Sequence, residues 1–291
     1  MTDAKQTLKI TTLVLSTYIF FAGHDTIAKI LVLRGHEPIF VVWMRFFVMT
    51  FFCLALLQPW RHPEQYKMEF GGLHFSRSLL LVINTLLNFA ALRYLQLAEA
   101  MSIMLSMPII VALLSSPLLG ERVTKQRWAS AFFGFIGVLI VIRPGLGVIG
   151  WPALLSFGSA CGFALYVIAT RKMASSSTQS LLLYPNLLAL VLLLPVILIV
   201  DKISIHLFDL LLFVSFGALG MFGQWCMISA TKYVDASTLA PTMYTQLIWM
   251  TIFGWVVFSE IPDFWTFIGG GLIVLSGIYL WLNEIYTRRI I

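Results

Sequence analysis

Ten apolar stretches, each about long enough to cross a bilayer, take up nearly all of the 291 residues. A spanning helix needs about 20 mostly apolar residues, and the stretches run over 10–33, 37–58, 74–94, 97–119, 127–143, 150–171, 178–200, 207–232, 236–258 and 263–285. The runs are continuous, as in LLLYPNLLALVLLLPVILIV, and lack the alternation of an outer-membrane strand, so they read as helices. With 59% hydrophobic and only 11% charged residues, the chain is too apolar for a water-soluble core of this size. The expectation is an all-α membrane protein with ten transmembrane helices. MTDAKQTLKI leads into the first run, and no small-residue cleavage site follows that run, so it is expected to be retained as a span.

The basic residues supply an orientation, because Lys and Arg collect on cytoplasmic loops. If the N-terminus is cytoplasmic, an even number of spans returns the C-terminus to the same side. Thirteen basic residues then lie inside, among them Arg77, Lys125 and Arg171, and only Arg34, Arg93, Arg143 and Lys202 lie outside. Lys29 and Arg45 fall within spans. Both termini are therefore expected in the cytoplasm. The net charge of +6 reflects this bias. No loop is large enough to carry a basic stripe, so no nucleic-acid partner is expected; the expected partners are the lipid bilayer and a small-molecule substrate, with the chain a monomer or weak oligomer.

Cys53, Cys161 and Cys226 stand singly in apolar spans, which implies neither a disulfide nor a metal site. The chain holds no Walker loop, dinucleotide fingerprint, H-E-x-x-H or G-x-S-x-G, so neither an ATP-driven pump nor a familiar hydrolase is expected, and no cofactor.

Sliding residues 91–121 onto 230–260 exposes an internal repeat. Ala91 falls on Ala230, Arg93 on Lys232, Tyr94 on Tyr233, Met104 on Met243 and Glu121 on Glu260, both acids at the end of a span. After each acid come a short polar turn and a Gly-containing span. The chain thus divides near residue 147 into two five-helix repeats, 1–147 and 148–291. Five is odd, so the halves lie upside down relative to each other, the inverted repeat that lets a central cavity open to one face and then the other.

These residues resemble the drug/metabolite transporter superfamily, EamA type. The resemblance spans the whole chain and is most specific in A-L-R-Y-L-Q-L-A-E-A at 91–100, in Pro108, and in Gly120–Glu121 followed by a basic turn. The second copy departs from it, with Ser259 before Glu260 and no proline aligned with Pro108. The resemblance implies a ten-helix secondary transporter of two inverted repeats. It is similar to bacterial exporters of amino acids and related small amphiphilic metabolites; uptake of a nucleoside- or cofactor-like solute, of the riboflavin or S-adenosylmethionine type, is the alternative.

Polar side chains at helical spacing within a span mark its inward face. Asn84 and Asn88 lie one turn apart on the third span, and Glu99, Ser102 and Ser106 follow one face of the fourth. Ser156, Ser159, Tyr166 and Thr170 form a stripe on the sixth, and Gln224 with Trp225 lies on the eighth. The ninth carries Thr238, Thr242, Thr245, Gln246 and Trp249, with Tyr244 beside them. The hydroxyl groups have a second use, since Ser and Thr in spans bond their own helix or join two helices. The bulky members Asn84, Asn88, Tyr166, Gln224, Trp225, Tyr244, Gln246 and Trp249, together with Ser102, are the candidate substrate contacts.

Charges within spans cost roughly 2.5–3.5 kcal/mol each at the bilayer centre, which singles out Asp25 and Arg45. Counting along their spans puts both about 5 Å beyond the midplane on the outer side. Two readings stay open: they form a structural ion pair, or Asp25 holds a substrate ammonium or a proton, tuned by His24, while Arg45 grips a carboxylate. Lys29, one turn farther out, is expected to snorkel to the interface. Glu99 either caps its helix or takes up protons. Pro108 removes the backbone bond to the carbonyl of Met104 and is a candidate hinge. Gly158, Gly162 and the series Gly217, Gly220, Gly223 are expected where neighbouring helices approach closely.

Overall fold

The computed structural model describes residues 2–66, 71–119, 125–142, 150–173, 175–197, 206–231 and 243–290. In chain order its helices are α1 (Thr2–Leu33), α2 (Pro38–Leu57), a 3₁₀ turn (Pro63–Tyr66), α3 (Gly71–Leu92), α4 (Leu97–Met104), α5 (Met107–Leu119), α6 (Lys125–Ile142), α7 (Pro152–Lys172), α8 (Thr178–Ile197), α9 (Leu207–Thr231), α10 (Tyr244–Phe258) and α11 (Phe264–Ile290). No strand occurs among the described residues. By length and composition, α2, α3, α7, α8 and α9 are apolar enough to cross a membrane; the apolar parts of α4–α5, α6, α10 and α11 are shorter. The expected boundary near residue 147 falls outside the described residues, as do Gly120, Glu121, Thr238 and Thr242.

Where described, the helix ends follow the apolar runs to within about five residues, except at the start of α1, which begins at Thr2, well before its run, and in the fourth stretch, which is two helices. The break falls at Leu105 and Ser106. Pro108 has no N–H to give the carbonyl of Met104, and it sits in the first turn of α5, where helical N–H groups have no intrahelical partner and a proline is tolerated. Around the break, the Ser106 backbone N–H turns back to Ile103 O at 3.0 Å and its hydroxyl donates to the same carbonyl at 2.7 Å. A second proline is compensated differently. Pro185 sits inside α8 and leaves Leu181 O without its helical donor, and Nη1 of Arg77, on α3, donates to that carbonyl at 3.0 Å.

Packing joins the halves rather than separating them. α1 lies on α9 and α3 on α7; α2 packs on α8 and α9, α3 also on α8, α4 and α5 on α7, α1 on α10, and α6 on α11. Exchange of the halves (α1 for α7, α2 for α8, α3 for α9, α4–α5 for α10, α6 for α11) maps this set onto itself. Glycines permit the closest approaches. A Cβ at Gly217 would lie 2.3 Å from Val48 Cγ1, and one at Gly220 would lie 2.9 Å from Cδ2 of His24; α6 and α11 cross where Gly137 and Gly269 put backbone on backbone. Because hydrocarbon gives helices no hydrophobic drive to associate, such small-residue seams supply the contact.

The bundle has two distinguishable ends. One, called here the terminal end, is where α1 begins and α11 finishes; the far end holds the α1–α2 turn, the α3–α4 corner and the turn between α10 and α11.

Candidate substrate site

At the centre, α1 turns His24 and Asp25 inward. His24 is buried, stacked on Phe216 of α9 with centroids 4.3 Å apart and planes 19° from parallel, in the space that Gly220 leaves. Its Nδ1 lies 3.1 Å from Oδ1 of Asp25. The other carboxylate oxygen of Asp25 is 3.5 Å from the Gln246 amide nitrogen on α10. Arg45, from α2, is also buried. Its Nη1 donates to Thr85 Oγ1 at 2.7 Å, and its Nε has no hydrogen-bond partner among the described residues.

Asp25 and Arg45 act on each other electrostatically, yet no salt bridge joins them, and the structural ion pair considered above is not formed. Each is held instead by its own neighbours, Asp25 by His24 and Gln246, Arg45 by Thr85.

The remaining candidates separate into three groups. Tyr166, Gln224, Asn84 and Gln246 are buried between helices. The Tyr166 hydroxyl oxygen accepts from Arg77 Nη2 at 2.7 Å and from Gln224 Nε2 at 3.1 Å, and its ring stacks on Phe163 at 5.7 Å. Asn84 uses Oδ1 to accept from Ser159 Oγ at 2.6 Å, which ties α3 to α7. Asn88 and Trp249 are half-buried, Trp249 against Phe253.

The second group turns its polar atoms to the scaffold. Ser102 donates to Ala98 O of its own helix at 2.8 Å, and Ser156 donates across to Ala100 O at 3.1 Å. Glu99 accepts from the Gln96 backbone N–H at 2.9 Å, the cap geometry at the start of α4.

The third group is a correction. Trp225 is 45% exposed on the outside of α9. Successive helical residues point about 100° apart, so with Gln224 facing inward its neighbour faces out. The side chains of Tyr244 and Pro108 lie outside the described residues.

Two further charges are placed differently from expectation. Lys29 does not snorkel: it is buried, and its ammonium donates to Leu95 O at 2.7 Å and to the Glu260 carboxylate. A counter-charge 231 positions away in sequence makes burial cheaper than extension to the interface. Arg77, counted above with the cytoplasmic loop, is fully buried on α3, where Nε also donates to Thr170 Oγ1 at 2.7 Å. Its sequence signal was the stripe of Asn84 and Asn88 carried back toward the N-terminus: Leu81, Arg77 and His74 follow at three- and four-residue steps, and all are buried.

No group of three His, Cys, Asp or Glu residues suited to a metal occurs among the described residues, and the three cysteines are unbonded.

Comparison with known proteins bears on this arrangement. The profile of the EamA-like transporter family matches residues 8–143 and again 150–282. Among curated proteins, the chain is 28% identical to a riboflavin transporter of Vibrio cholerae over 70% of each chain. It is 26% identical to an S-adenosylmethionine uptake transporter of Rickettsia prowazekii, over 90% of this chain and 88% of that one. A pseudopaline exporter of Pseudomonas aeruginosa is 27% identical over 66% of this chain and 68% of its own length. A solved crystal structure superposes with a TM-score of 0.63 at 19% identity, over 94% of this chain and 98% of the other, a likeness of fold alone.

Proposed function

The chain belongs to the EamA-like transporter family, and on that premise we propose that it carries small zwitterionic metabolites, molecules with an α-amino-acid end on an apolar or aromatic body, by alternating access. The observation that supports this reading is the state of Asp25 and Arg45. Direct contact would relieve much of the cost of placing both charges within the membrane. They stay apart, and Arg45 keeps an Nε without a hydrogen-bond partner among the described residues. A carboxylate kept out of contact with a guanidinium is complementary to an ammonium and a carboxylate on one ligand.

Amino acids fit this arrangement. S-adenosylmethionine fits it too, and its nucleoside would lie against Tyr166 and Trp249. A second reading, a riboflavin-type solute, draws on the Phe163–Tyr166 stack and needs no charge pair. Export and uptake are the same cycle run from opposite sides: with no Walker loop in the sequence, this reading has net flux follow the gradient of substrate or of a coupled proton. We place the protein in the bacterial inner membrane with both termini cytoplasmic, dividing near residue 147 into inverted halves that rock about the site. No bond is made or broken.

Counterflow tests this. Purified protein in liposomes preloaded with unlabelled substrate is expected to accumulate labelled S-adenosylmethionine or amino acid. Accumulation of riboflavin with no zwitterion would select the second reading, and accumulation of neither would refute both.

A further inference from the structure

The far end of the bundle contains a polarised socket. Lys29, in the last turns of α1, is 3% exposed; its ammonium donates to Leu95 O at 2.7 Å and to one oxygen of Glu260, and the Phe258 ring lies 5.0 Å away. The other oxygen of Glu260 accepts from the backbone N–H of Leu97 at 3.2 Å. One corner of the chain, between α3 and α4, therefore offers a carbonyl to the cation and an N–H to the anion. Gln96, between those two residues, is held by Glu99. On the opposite side Ser259 takes a left-handed φ of 57°, ending α10 so that the Glu260 N–H returns to Gly254 O at 3.0 Å.

We infer that this socket is the gate of the far end: an ion lock between the two halves that breaks when the central site opens toward that face. The inference rests on the alternating-access reading. Lys29 and the corner belong to the first half and Glu260 to the second. A buried ion pair adds little net stability, because desolvation offsets much of the attraction. Both ions regain hydration when a gate opens, so this contact separates at less cost than an apolar seal of similar size. The neighbouring pair has another character. Arg34, in the turn just past α1, reaches Asp209 at 2.6 Å with 41% of its side chain exposed, and it staples the end of α1 to α9, helices already joined along the glycine seam.

The test is accessibility. Cys53, Cys161 and Cys226 are replaced by alanine, and Asn88→Cys, on α3 between the central Asn84 and the socket, is the reporter for a membrane-impermeant maleimide applied to either face. Lys29→Met and Glu260→Gln are each expected to speed labelling from the far face about tenfold, equivalent to about 1.4 kcal/mol of shifted population. The exchanged pair, Lys29→Glu with Glu260→Lys, restores attraction but sets ammonium against the Leu97 N–H and carboxylate against the Leu95 carbonyl, so labelling stays fast. Unchanged labelling overturns the gate, and so does an equal rise from both faces, which reports general loosening. An exchanged pair as slow as the parent overturns the polarised socket. Labelling needs no substrate, so a failed counterflow assay refutes the zwitterion reading and leaves this inference standing.

Discussion

The two ends of the bundle bury a cation by opposite means. At the far end Lys29 meets a carboxylate, so the charge is balanced and the contact can come apart into water. At the terminal end Arg77 meets no carboxylate among the described residues: its three bonds go to Thr170 Oγ1, the Tyr166 hydroxyl and Leu181 O, and its guanidinium lies 4.5 Å from the Tyr166 ring centroid. The difference teaches what each is for. Arg77 replaces a donor that Pro185 cannot supply and holds Tyr166 in place, which is permanent construction. The charges at the centre, Asp25 and Arg45, follow neither pattern.

The largest expected effect comes from breaking the permanent end. Arg77→Met orphans buried acceptors at about 1–3 kcal/mol each, so we expect a loss of about 3 kcal/mol in thermal unfolding of the detergent-solubilised protein. Pro185→Ala returns a helical donor to Leu181 O, and Arg77→Met should then cost about 1 kcal/mol less than in the parent. Equal costs in both backgrounds would show that Arg77 does not stand in for the proline's missing N–H.

The centre should respond in transport and not in stability. Asp25→Asn and Arg45→Gln each remove one ionic contact to a zwitterion, worth about 1.5–3 kcal/mol, and half-saturation in counterflow should rise at least about tenfold. The unfolding temperature should stay near the parent's. Riboflavin transport, if present, should be spared by Asp25→Asn. A loss of stability as large as that of Arg77→Met would make the central charges part of the scaffold.

These contrasts also mark what a reader of residues alone can reach. Helix positions were legible because an apolar run of about 20 residues has one use in a bilayer, and the split of the fourth stretch follows from the missing N–H of Pro108. Asp25, Arg45, Gln246 and Gln224 were legible as polar groups at membrane depth. Lys29 and Arg77 depart from expectation for one reason: each sits near a span end, where charge rules assign it to the interface, while the partners that bury it lie on helices distant in sequence. Folding, not local pattern, supplies Glu260 to Lys29 and Leu181 to Arg77.

A smaller effect is expected at the break between α4 and α5. Pro108→Ala restores a donor for Met104 O and favours a continuous helix by about 1 kcal/mol. If the break flexes during the cycle, turnover should slow about fivefold with half-saturation unchanged. Unchanged turnover would make the bend a fixed feature of the packing, closer in kind to the Arg77 end than to the Lys29 end.

The smallest effect separates two tryptophans that the sequence places alike. Trp225 is 45% exposed on α9, whereas Trp249 is half-buried and packs toward the core with Phe253, its ring centroid 6.4 Å from that of the phenylalanine. Trp225→Leu exchanges one apolar surface for another outside the bundle and should leave counterflow unchanged within error. Trp249→Leu removes aromatic area beside Gln246 and should weaken an aromatic substrate by about 0.5–1.5 kcal/mol, several-fold in half-saturation, while affecting an aliphatic amino acid less. The reverse ranking would mean that solute passes along the outer face of α9, and the central charges would lose their claim to be the site.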